Sequence, residues 1–298
     1  MRVVSVGECM VELSGAGPGM WRQAFAGDTF NTAWYLRALL PRDAQVDYLT
    51  ALGRDAISDK MEGFMAQAGI GTGCIRRHPD RAPGLYMIDL ADGERSFTYW
   101  RDNSAARTLA DDEEHLARCF LGADLIYFSG ITLAILTPDR RRALLAALAA
   151  SKARVAFDSN MRLRLWPDTA EMRDWIMRGA AVADIALPSF DEEEAHFGDA
   201  DPSATARRYG EAGVSEVLVK NGGGMMLGLQ DGQALEFPPS ARITPVDTTG
   251  AGDSFNGGYL AARLQGRDQS QAVAAGHAIA SRVIRHPGAL IPPAQIPP

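Results

Sequence analysis

Short apolar runs alternate along the chain with longer stretches whose apolar positions repeat at helical spacing. The runs are rich in β-branched and aromatic residues and are bounded by Gly, Pro, Asn or Asp, so they predict buried strands at 3–6, 124–129, 154–158, 184–187 and 216–219. Helical patterns cover residues 29–40, 57–68, 138–151, 172–178 and 203–212. This alternation predicts an α/β fold in which helices cover both faces of a mainly parallel sheet.

Two segments depart from the alternation. Residues 8–26 are rich in glycine, and the run 15–19 within them predicts a turn rather than a dinucleotide loop. Residues 85–90 and 94–100 predict a hairpin whose turn is Ala91-Asp92-Gly93. We therefore expect one α/β domain over residues 1–298, with a small β lid formed by about 8–26 and 76–101. The proline-rich end, residues 291–298, predicts a loose tail.

Composition and charge exclude several classes of protein. The 298 residues carry 30 Lys and Arg against 37 Asp and Glu, a net charge of −7, which argues against a polyanion-binding surface. The longest apolar run, residues 143–150, is far shorter than a membrane span. Three cysteines without CxxC spacing predict free thiols rather than disulfides or a zinc site. We expect a cytoplasmic protein without nucleic-acid or membrane partners.

The clearest chemical signal is the segment Val246–Phe255, which follows a β-like stretch and precedes a helical pattern. Its small residues allow the backbone N–H groups of Ala251, Gly252 and Asp253 to converge at a helix N-terminus, where an anion is stabilised. Asp253 could cap this helix or could accept a proton from an alcohol that attacks a phosphoryl group. A cap explains the aspartate but not the preceding Gly-Ala-Gly, so we favour an anion site.

The segment D-T-T-G-A-G-D-S-F, residues 247–255, resembles the C-terminal signature of the ribokinase-like (PfkB) carbohydrate kinases. Residues 27–33, G-D-T-F-N-T-A, resemble the sugar-binding motif of that family, and residues 218–222 resemble its nucleotide-side strand end. The resemblance covers nearly the whole chain. It implies a ribokinase-like three-layer sandwich with a mainly parallel central sheet and a small β-sheet lid.

Weaker motifs at 7–14, 99–101, 129–136 and 163–166 resemble the subgroup that phosphorylates 2-keto-3-deoxygluconate. The resemblance implies transfer from ATP, with Mg²⁺, to give 2-keto-3-deoxy-6-phosphogluconate. Asp253 would be the catalytic base, and the N–H groups of Gly250, Ala251 and Gly252 would form the anion hole. A kinase of fructose or 5-keto-2-deoxygluconate, and a non-catalytic sugar or nucleotide sensor, remain alternatives. Family resemblance also suggests a homo-oligomer, a dimer or larger, formed through the lid.

The resemblance assigns further residues to ligands. Those for the sugar acid are Gly27, Asp28, Asn31, Tyr86, Tyr99, Arg101, Asn160 and Arg162, and those for ATP are Lys220, Gly222, Gly250, Gly252 and His277. The two arginines favour an acid substrate, because a guanidinium group binds a carboxylate through two parallel hydrogen bonds. Each assignment has a plainer alternative: solvated arginines, tyrosines that only pack, a helix-start asparagine, a surface lysine and a packed histidine.

The family's metal-linked N-x-x-E motif is matched to the acidic run 191–194, with Asp191 in place of the usual Asn and Glu194 as its acid. Mg²⁺ accepts a carboxylate oxygen of Asp or an amide oxygen of Asn, often through a bridging water. Such a run is also typical of a solvated helix N-terminus, where the helix dipole favours negative charge. A second departure is Ala26, which replaces the first glycine of the family's pair before the sugar motif.

Overall fold

A computed structural model describes the chain at residues 1–17, 19–91, 94–239 and 243–296. The strands in these ranges are β1 (Arg2–Val6), β2 (Met10–Gly17), β3 (Met20–Ala26), β4 (Gln45–Leu52), β5 (Ile75–Arg77), β6 (Leu85–Ala91), β7 (Glu94–Trp100), β8 (Leu125–Ser129), β9 (Arg154–Asp158), β10 (Ile185–Ala186), β11 (Glu216–Val219), β12 (Met226–Gln230) and β13 (Gln233–Phe237). The helices are α1 (Asp28–Leu39), α2 (Ala56–Gln67), α3 (Glu113–Phe120), α4 (Gly130–Ala134), α5 (Pro138–Ala150), α6 (Thr169–Ala180), α7 (Phe190–Phe197), α8 (Pro202–Glu211), α9 (Ala251–Leu264) and α10 (Gln269–Val283).

The larger sheet forms the centre of the molecule. Its described strands follow the order β13-β12-β11-β10-β9-β8-β1-β4-β5. Neighbours from β11 to β5 run parallel, and β12 and β13 extend one edge in antiparallel pairing. Successive strand side chains point to opposite faces, so Val3 packs in the core cluster that holds Phe30 of α1, while Val4 packs in the one that holds Leu144 of α5. Helices thus cover both faces, which confirms the predicted fold class.

The apolar runs of the sequence correspond to β1, β8, β9, β10 and β11, and the main helical patterns to α1, α2, α5, α6 and α8. Proline is favoured at the first helical position, and α5 begins at Pro138. The sequence pattern missed β4, because Asp47 interrupts its apolar residues. In the structure the Asp47 carboxylate accepts a hydrogen bond of 2.7 Å from Arg2 Nε, and this ion pair allows a charged residue within the sheet.

The smaller sheet, which we call the lid, has the strand order β3-β2-β6-β7. The predicted hairpin forms β6 and β7, and its turn residues Asp92 and Gly93 lie outside the described residues. Strands β2 and β3 form a second hairpin around the predicted turn, of which Pro18 is likewise not described. Residues 75–77 pair with β4 in the larger sheet. The later lid segment, expected to begin at about residue 76, therefore starts with β6.

The prediction of a loose C-terminal tail is wrong over its described part. Ile291 and Ile296 are buried and pack in one cluster with Tyr35 of α1. The Trp34 indole N–H donates to the carbonyl of Ile291 over 3.0 Å, so the segment is fixed to α1 by packing and hydrogen bonding. The number of prolines alone did not predict whether this segment packs against the domain, because the isoleucines between the prolines supply the buried area.

The three cysteines, Cys9, Cys74 and Cys119, are buried and unbridged, in agreement with the predicted free thiols. Among the helices of the described ranges, none is both long and apolar enough to cross a membrane.

Candidate active site

A cleft of about 400 Å³ lies between the larger sheet and the lid. Residues that follow β9 and β11, together with the N-termini of α1 and α9, form its floor, as expected for ligand sites beyond the carboxyl ends of parallel strands. The predicted site residues that line it are Gly27, Asp28, Asn31, Tyr86, Tyr99, Asn160, Arg162, Lys220, Gly250, Ala251, Gly252 and Asp253. As far as the described residues define the cleft, its lining does not include Arg101, Asp191, Glu194, Gly222 or His277.

The start of α9 forms a tight turn that only glycine accommodates. Gly250 has φ of 74°, and a Cβ at this position would lie 2.8 Å from the Cβ of Ala289. The Ala251 amide donates to the Thr248 carbonyl over 3.2 Å and is thus already engaged in the turn. Within the described residues, the amides of Gly250 and Gly252 have no such bond. Of the three amides predicted to form the anion hole, those of Gly250 and Gly252 are thus unengaged among the described residues, and the anion hole itself stays a prediction.

Asp253 lies in the first turn of α9, and its carboxylate does not cap the helix. Its Oδ2 accepts a hydrogen bond of 2.7 Å from the side-chain amide of Asn31. The same Asn31 accepts a hydrogen bond from the Gly27 amide through its own oxygen, so it connects the N-terminus of α1 to the acid. A Cβ on Gly27 would lie 2.1 Å from the Glu8 carbonyl, which explains the glycine there.

The pKa of Asp253 is raised to about 7, mainly by burial and further by the charges of Asp28 and Asp158, against the lowering effect of the Asn31 hydrogen bond. A carboxylate with a pKa near 7 is suited to accept a proton at neutral pH. The electrostatics of the site therefore favour the base over the helix cap as the role of Asp253.

Asp28 is a second partly buried acid on the cleft floor. It accepts hydrogen bonds from the Ser129 hydroxyl and, over 2.8 Å, from the Asn160 side-chain amide. Burial is the main cause of its raised pKa, to which the nearby charge of Asp158 adds. Both Asp28 and Asn160 are thus fixed in orientation where they meet the cleft.

Lys220, which follows β11, lies in the cleft rather than on the surface. Its Nζ donates to Asp158 Oδ2 over 3.2 Å and to Asn256 Oδ1 over 3.1 Å. The Asn256 amide also donates to Asp158 over 2.6 Å and to the Tyr127 hydroxyl over 3.1 Å. Sequence reasoning missed Asn256, although its position three residues after Asp253 on one helix was a usable signal.

The lid contributes an aromatic wall to the cleft. The rings of Tyr86 and Tyr99 stack with centroids 5.7 Å apart, and Phe97, which sequence reasoning missed, stacks on Tyr99 at 6.3 Å. The Tyr86 hydroxyl donates to Glu12 of β2, so it is already engaged within the lid. The Arg164 guanidinium lies 3.8 Å from the Tyr99 ring centroid. The two tyrosines therefore combine packing with exposure to the cleft.

The two predicted carboxylate-binding arginines differ in accessibility. The Arg101 side chain is 6% exposed and forms an ion pair with Glu8, itself 1% exposed, beneath the lid. Arg162 is 42% exposed, lines the cleft and pairs with Glu192. Only Arg162 thus presents its guanidinium to the cleft.

In the acidic run at the start of α7, the residue that lines the cleft is not one of the two predicted to hold a metal. Asp191 and Glu194 are exposed, whereas Glu192 and Ser189 line the cleft. The four-residue spacing of the motif also fits Ser189 to Glu192, so the sequence contained the alternative register. The described residues contain no group of three or more His, Cys, Asp or Glu side chains arranged to hold a metal ion. A contact of Asp191 or Glu194 with Mg²⁺ stays a prediction.

Two predicted nucleotide contacts lie away from this cleft. Gly222 lies exposed in the loop after β11, with φ of 49°. His277 of α10 packs edge-on against the Phe255 ring at 5.3 Å, and burial lowers the pKa of its imidazole. This environment is typical of a packed histidine, and a nucleotide contact for either residue stays a prediction.

Comparisons with known proteins show the family to which the chain belongs. The model of the pfkB family carbohydrate kinases matches residues 1–296, and the chain belongs to that family: it is an ATP-dependent sugar kinase. It is 40% identical to the 2-dehydro-3-deoxygluconokinase of Dickeya dadantii over 97% of this chain and 96% of that protein. The enzyme of the same name from Escherichia coli is 38% identical over 99% of both chains. (2-Dehydro-3-deoxygluconate and 2-keto-3-deoxygluconate are the same compound.)

The fold is shared with an Escherichia coli protein described as a ribokinase II, whose structure contains ATP and Mg²⁺. The TM-score is 0.84 at 23% identity, with coverage of 97% of this chain and 94% of that chain. The ribokinase-like fold expected from the sequence is confirmed.

Proposed function

We propose that this kinase transfers the γ-phosphoryl group of ATP to the terminal hydroxyl of 2-keto-3-deoxygluconate. The observation that carries the proposal is that Arg162 and Asp253 line one cleft. A sugar acid can bind its carboxylate to Arg162 and direct its far hydroxyl toward Asp253. The full-length similarity to two 2-dehydro-3-deoxygluconokinases supports this substrate over a neutral ketose.

In the proposed reaction Asp253 accepts the hydroxyl proton as the substrate oxygen attacks the γ-phosphorus. A new O–P bond forms, the bond between the γ-phosphorus and the β,γ-bridging oxygen breaks, and ADP leaves with that oxygen. The Gly250 and Gly252 amides and the positive end of the α9 dipole stabilise the charge on the transferred group. The Nζ of Lys220 lies 3.9 Å from the position that a Cβ on Gly252 would occupy. Lys220 therefore adds a positive charge beside the transferred group.

Mg²⁺ fits the charge of the cleft. The lining contains four carboxylates, Asp28, Asp158, Glu192 and Asp253, and two cations, Arg162 and Lys220. Because this lining is more acidic than basic, it attracts an accompanying cation when an anionic nucleotide and a sugar acid bind. Mg²⁺ would be bound mainly by phosphate oxygens and water, and it would neutralise phosphate charge. A reaction that consumes ATP also agrees with the cytoplasmic location expected from the free thiols.

The proposal is tested by measuring ADP release from the purified protein with 2-keto-3-deoxygluconate, 5-keto-2-deoxygluconate and fructose. We expect the largest kcat/KM for 2-keto-3-deoxygluconate, and ³¹P NMR should identify a single new phosphomonoester at its terminal hydroxyl. A larger kcat/KM for fructose would contradict the proposed substrate and leave the kinase assignment intact.

We further propose that two copies of the chain associate through the outer face of the lid, the face opposite to that of Tyr86 and Tyr99. Trp100 pairs across the sheet with Leu85, and Trp21 lies on the same face. Trp21 is 42% and Trp100 54% exposed, and large exposed aromatics are typical of protein interfaces. Light scattering should give the mass of a dimer for the wild type and of a monomer for Trp100→Glu. A monomeric wild type would contradict the proposal.

A further inference from the structure

Glu192 is the one acid of the run 191–194 that lines the cleft, whereas the metal-linked motif is matched to Asp191 and Glu194. Its two carboxylate oxygens accept hydrogen bonds from two consecutive residues of the loop after β9. Oε2 accepts from the Met161 amide over 2.9 Å, and Oε1 accepts from Nη1 of Arg162. One carboxylate thus binds both the backbone of the loop and the guanidinium that the loop carries.

The same guanidinium nitrogen has a second hydrogen bond. Nη1 of Arg162 donates to the Met161 carbonyl over 2.7 Å. Among the described residues, every hydrogen bond of Arg162 uses Nη1, so Nε and Nη2 form an edge without a protein partner. Two adjacent N–H groups of this kind match the two oxygens of a carboxylate.

The loop that carries Arg162 needs support. Asn160 has φ of 28°, a value that residues other than glycine seldom adopt and that costs free energy. Long arginine side chains also lose considerable rotamer entropy when they are fixed. Asp28 and Asp158 are close enough to attract the guanidinium, and they would compete for it if it were free. Glu192 offsets these costs by holding the loop and Nη1 against α7, and it keeps the guanidinium from turning toward Asp28 or Asp158.

We infer that Glu192 is a positioning residue: by holding Nη1 of Arg162 it presents Nε and Nη2 to the carboxylate of the sugar acid. This inference rests on the proposed function, because it requires a substrate with a carboxylate. It assigns Glu192 a role in acid binding that acts through Arg162.

The test compares Glu192→Ala and Glu192→Gln in binding 2-keto-3-deoxygluconate without nucleotide, by isothermal titration calorimetry. We expect Glu192→Ala to raise the Kd about tenfold, because the arginine loses its anchor. Glu192→Gln should raise it about threefold, because the amide oxygen still accepts one of the two hydrogen bonds. The KM for MgATP should stay within about twofold of the wild-type value in both variants.

A matched control removes a glutamate from a comparable pair outside the cleft. Glu171 Oε1 accepts a hydrogen bond of 2.6 Å from Arg141 Nη1, so Glu171→Ala breaks an Arg–Glu pair without touching the site. Its Kd for the acid should equal that of the wild type. Thermal unfolding of each variant verifies that the chain remains folded, and Glu192→Gln serves if Glu192→Ala does not fold.

The decisive comparison is the double variant Arg162→Ala/Glu192→Ala. If Glu192 acts through Arg162, the double variant binds the acid no more weakly than Arg162→Ala alone. Additive losses, unchanged acid binding in both Glu192 variants, tighter acid binding, or a raised KM for MgATP with unchanged acid binding would each overturn the inference. A wild-type protein that does not bind the acid would instead refute the proposed function, and this inference with it.

Discussion

The floor of the cleft and the lid above it are built by different kinds of interaction. On the floor, Asp158, Lys220 and Asn256 come from three separate segments and hold one another by charged hydrogen bonds of 2.6–3.2 Å. The lid wall is a stack of aromatic rings on adjacent strands. Charged hydrogen bonds fix atoms at defined positions, whereas stacked rings tolerate small shifts. We therefore expect changes at Asp253 and in the hydrogen-bonded network of the floor to affect kcat most, and changes in the aromatic wall of the lid to affect mainly the KM.

The largest effect should come from the floor. Asp253→Asn keeps the shape of the side chain and removes the proton acceptor, so kcat should fall by about 10³ in a coupled assay of ADP release. Because the acid substrate is held elsewhere, its Kd should change less than threefold. A variant that retained a tenth of the wild-type kcat would show that the floor does not supply the base.

The next largest effect should be on the free energy of unfolding, and it should come from the ion pair between Arg101 and Glu8 beneath the lid. Arg101→Ala leaves the buried Glu8 carboxylate without its partner, which should cost about 3 kcal/mol or more in the free energy of unfolding, measured by urea denaturation. Arg162→Ala removes a half-exposed partner and should cost less than about 1 kcal/mol. Equal losses for the two variants would contradict the difference in burial between them.

The pH dependence tests the electrostatics of the floor. With the pKa of Asp253 raised to about 7, kcat/KM for the sugar acid should fall about tenfold per pH unit below that value, because the protonated acid cannot act as a base. The charge of Asp28 contributes to the raised pKa. Asp28→Asn should thus shift the acid limb of the profile to lower pH, and an unshifted or raised limb would contradict this account.

The stability consequence of the same group has a definite sign. A carboxyl whose pKa is higher in the folded than in the unfolded state binds more protons when folded, so its contribution to stability is lost as the pH rises from about 4 to 7. Asp253→Asn should therefore raise the Tm relative to wild type at pH 8 and change it little at pH 4. If Asp253→Asn had a lower Tm than the wild type at pH 8, the claim that the charged form of Asp253 destabilises the fold would be contradicted.

The smallest effect should come from the lid wall. Tyr86→Phe removes the hydroxyl that donates to Glu12 and leaves the ring stacked on Tyr99. We expect the KM for the sugar acid to change by less than about fivefold and kcat to stay within twofold, measured by steady-state kinetics. A loss of kcat comparable to that of Asp253→Asn would remove the distinction between floor and lid.

The sequence predicted the central strands because both faces of the sheet are covered, which makes these strands nearly continuous apolar runs. It missed β4, whose Asp47 is neutralised by Arg2, a residue 45 positions away. The sequence also could not show that Arg101 is buried in an ion pair, because only the fold brings Glu8 against it.

The same limit applies to the acidic run at α7. Four consecutive acids offer four candidates, and the phase of the helix against the cleft selects Glu192. The residues of the α9 turn were predictable, because the glycine spacing and the aspartate lie in one continuous segment. Local motifs could thus be read from the sequence, and charge pairing between segments could not.

The central claim is that one cleft binds the carboxylate of a sugar acid at Arg162 and activates its hydroxyl at Asp253. It is tested most directly by the ratio of kcat/KM for 2-keto-3-deoxygluconate to that for fructose, in the wild type and in Arg162→Ala. The account predicts that the substitution lowers kcat/KM for the acid by about 100-fold and leaves the value for fructose within about threefold, so that the ratio collapses. A ratio that the substitution leaves unchanged would contradict the claim.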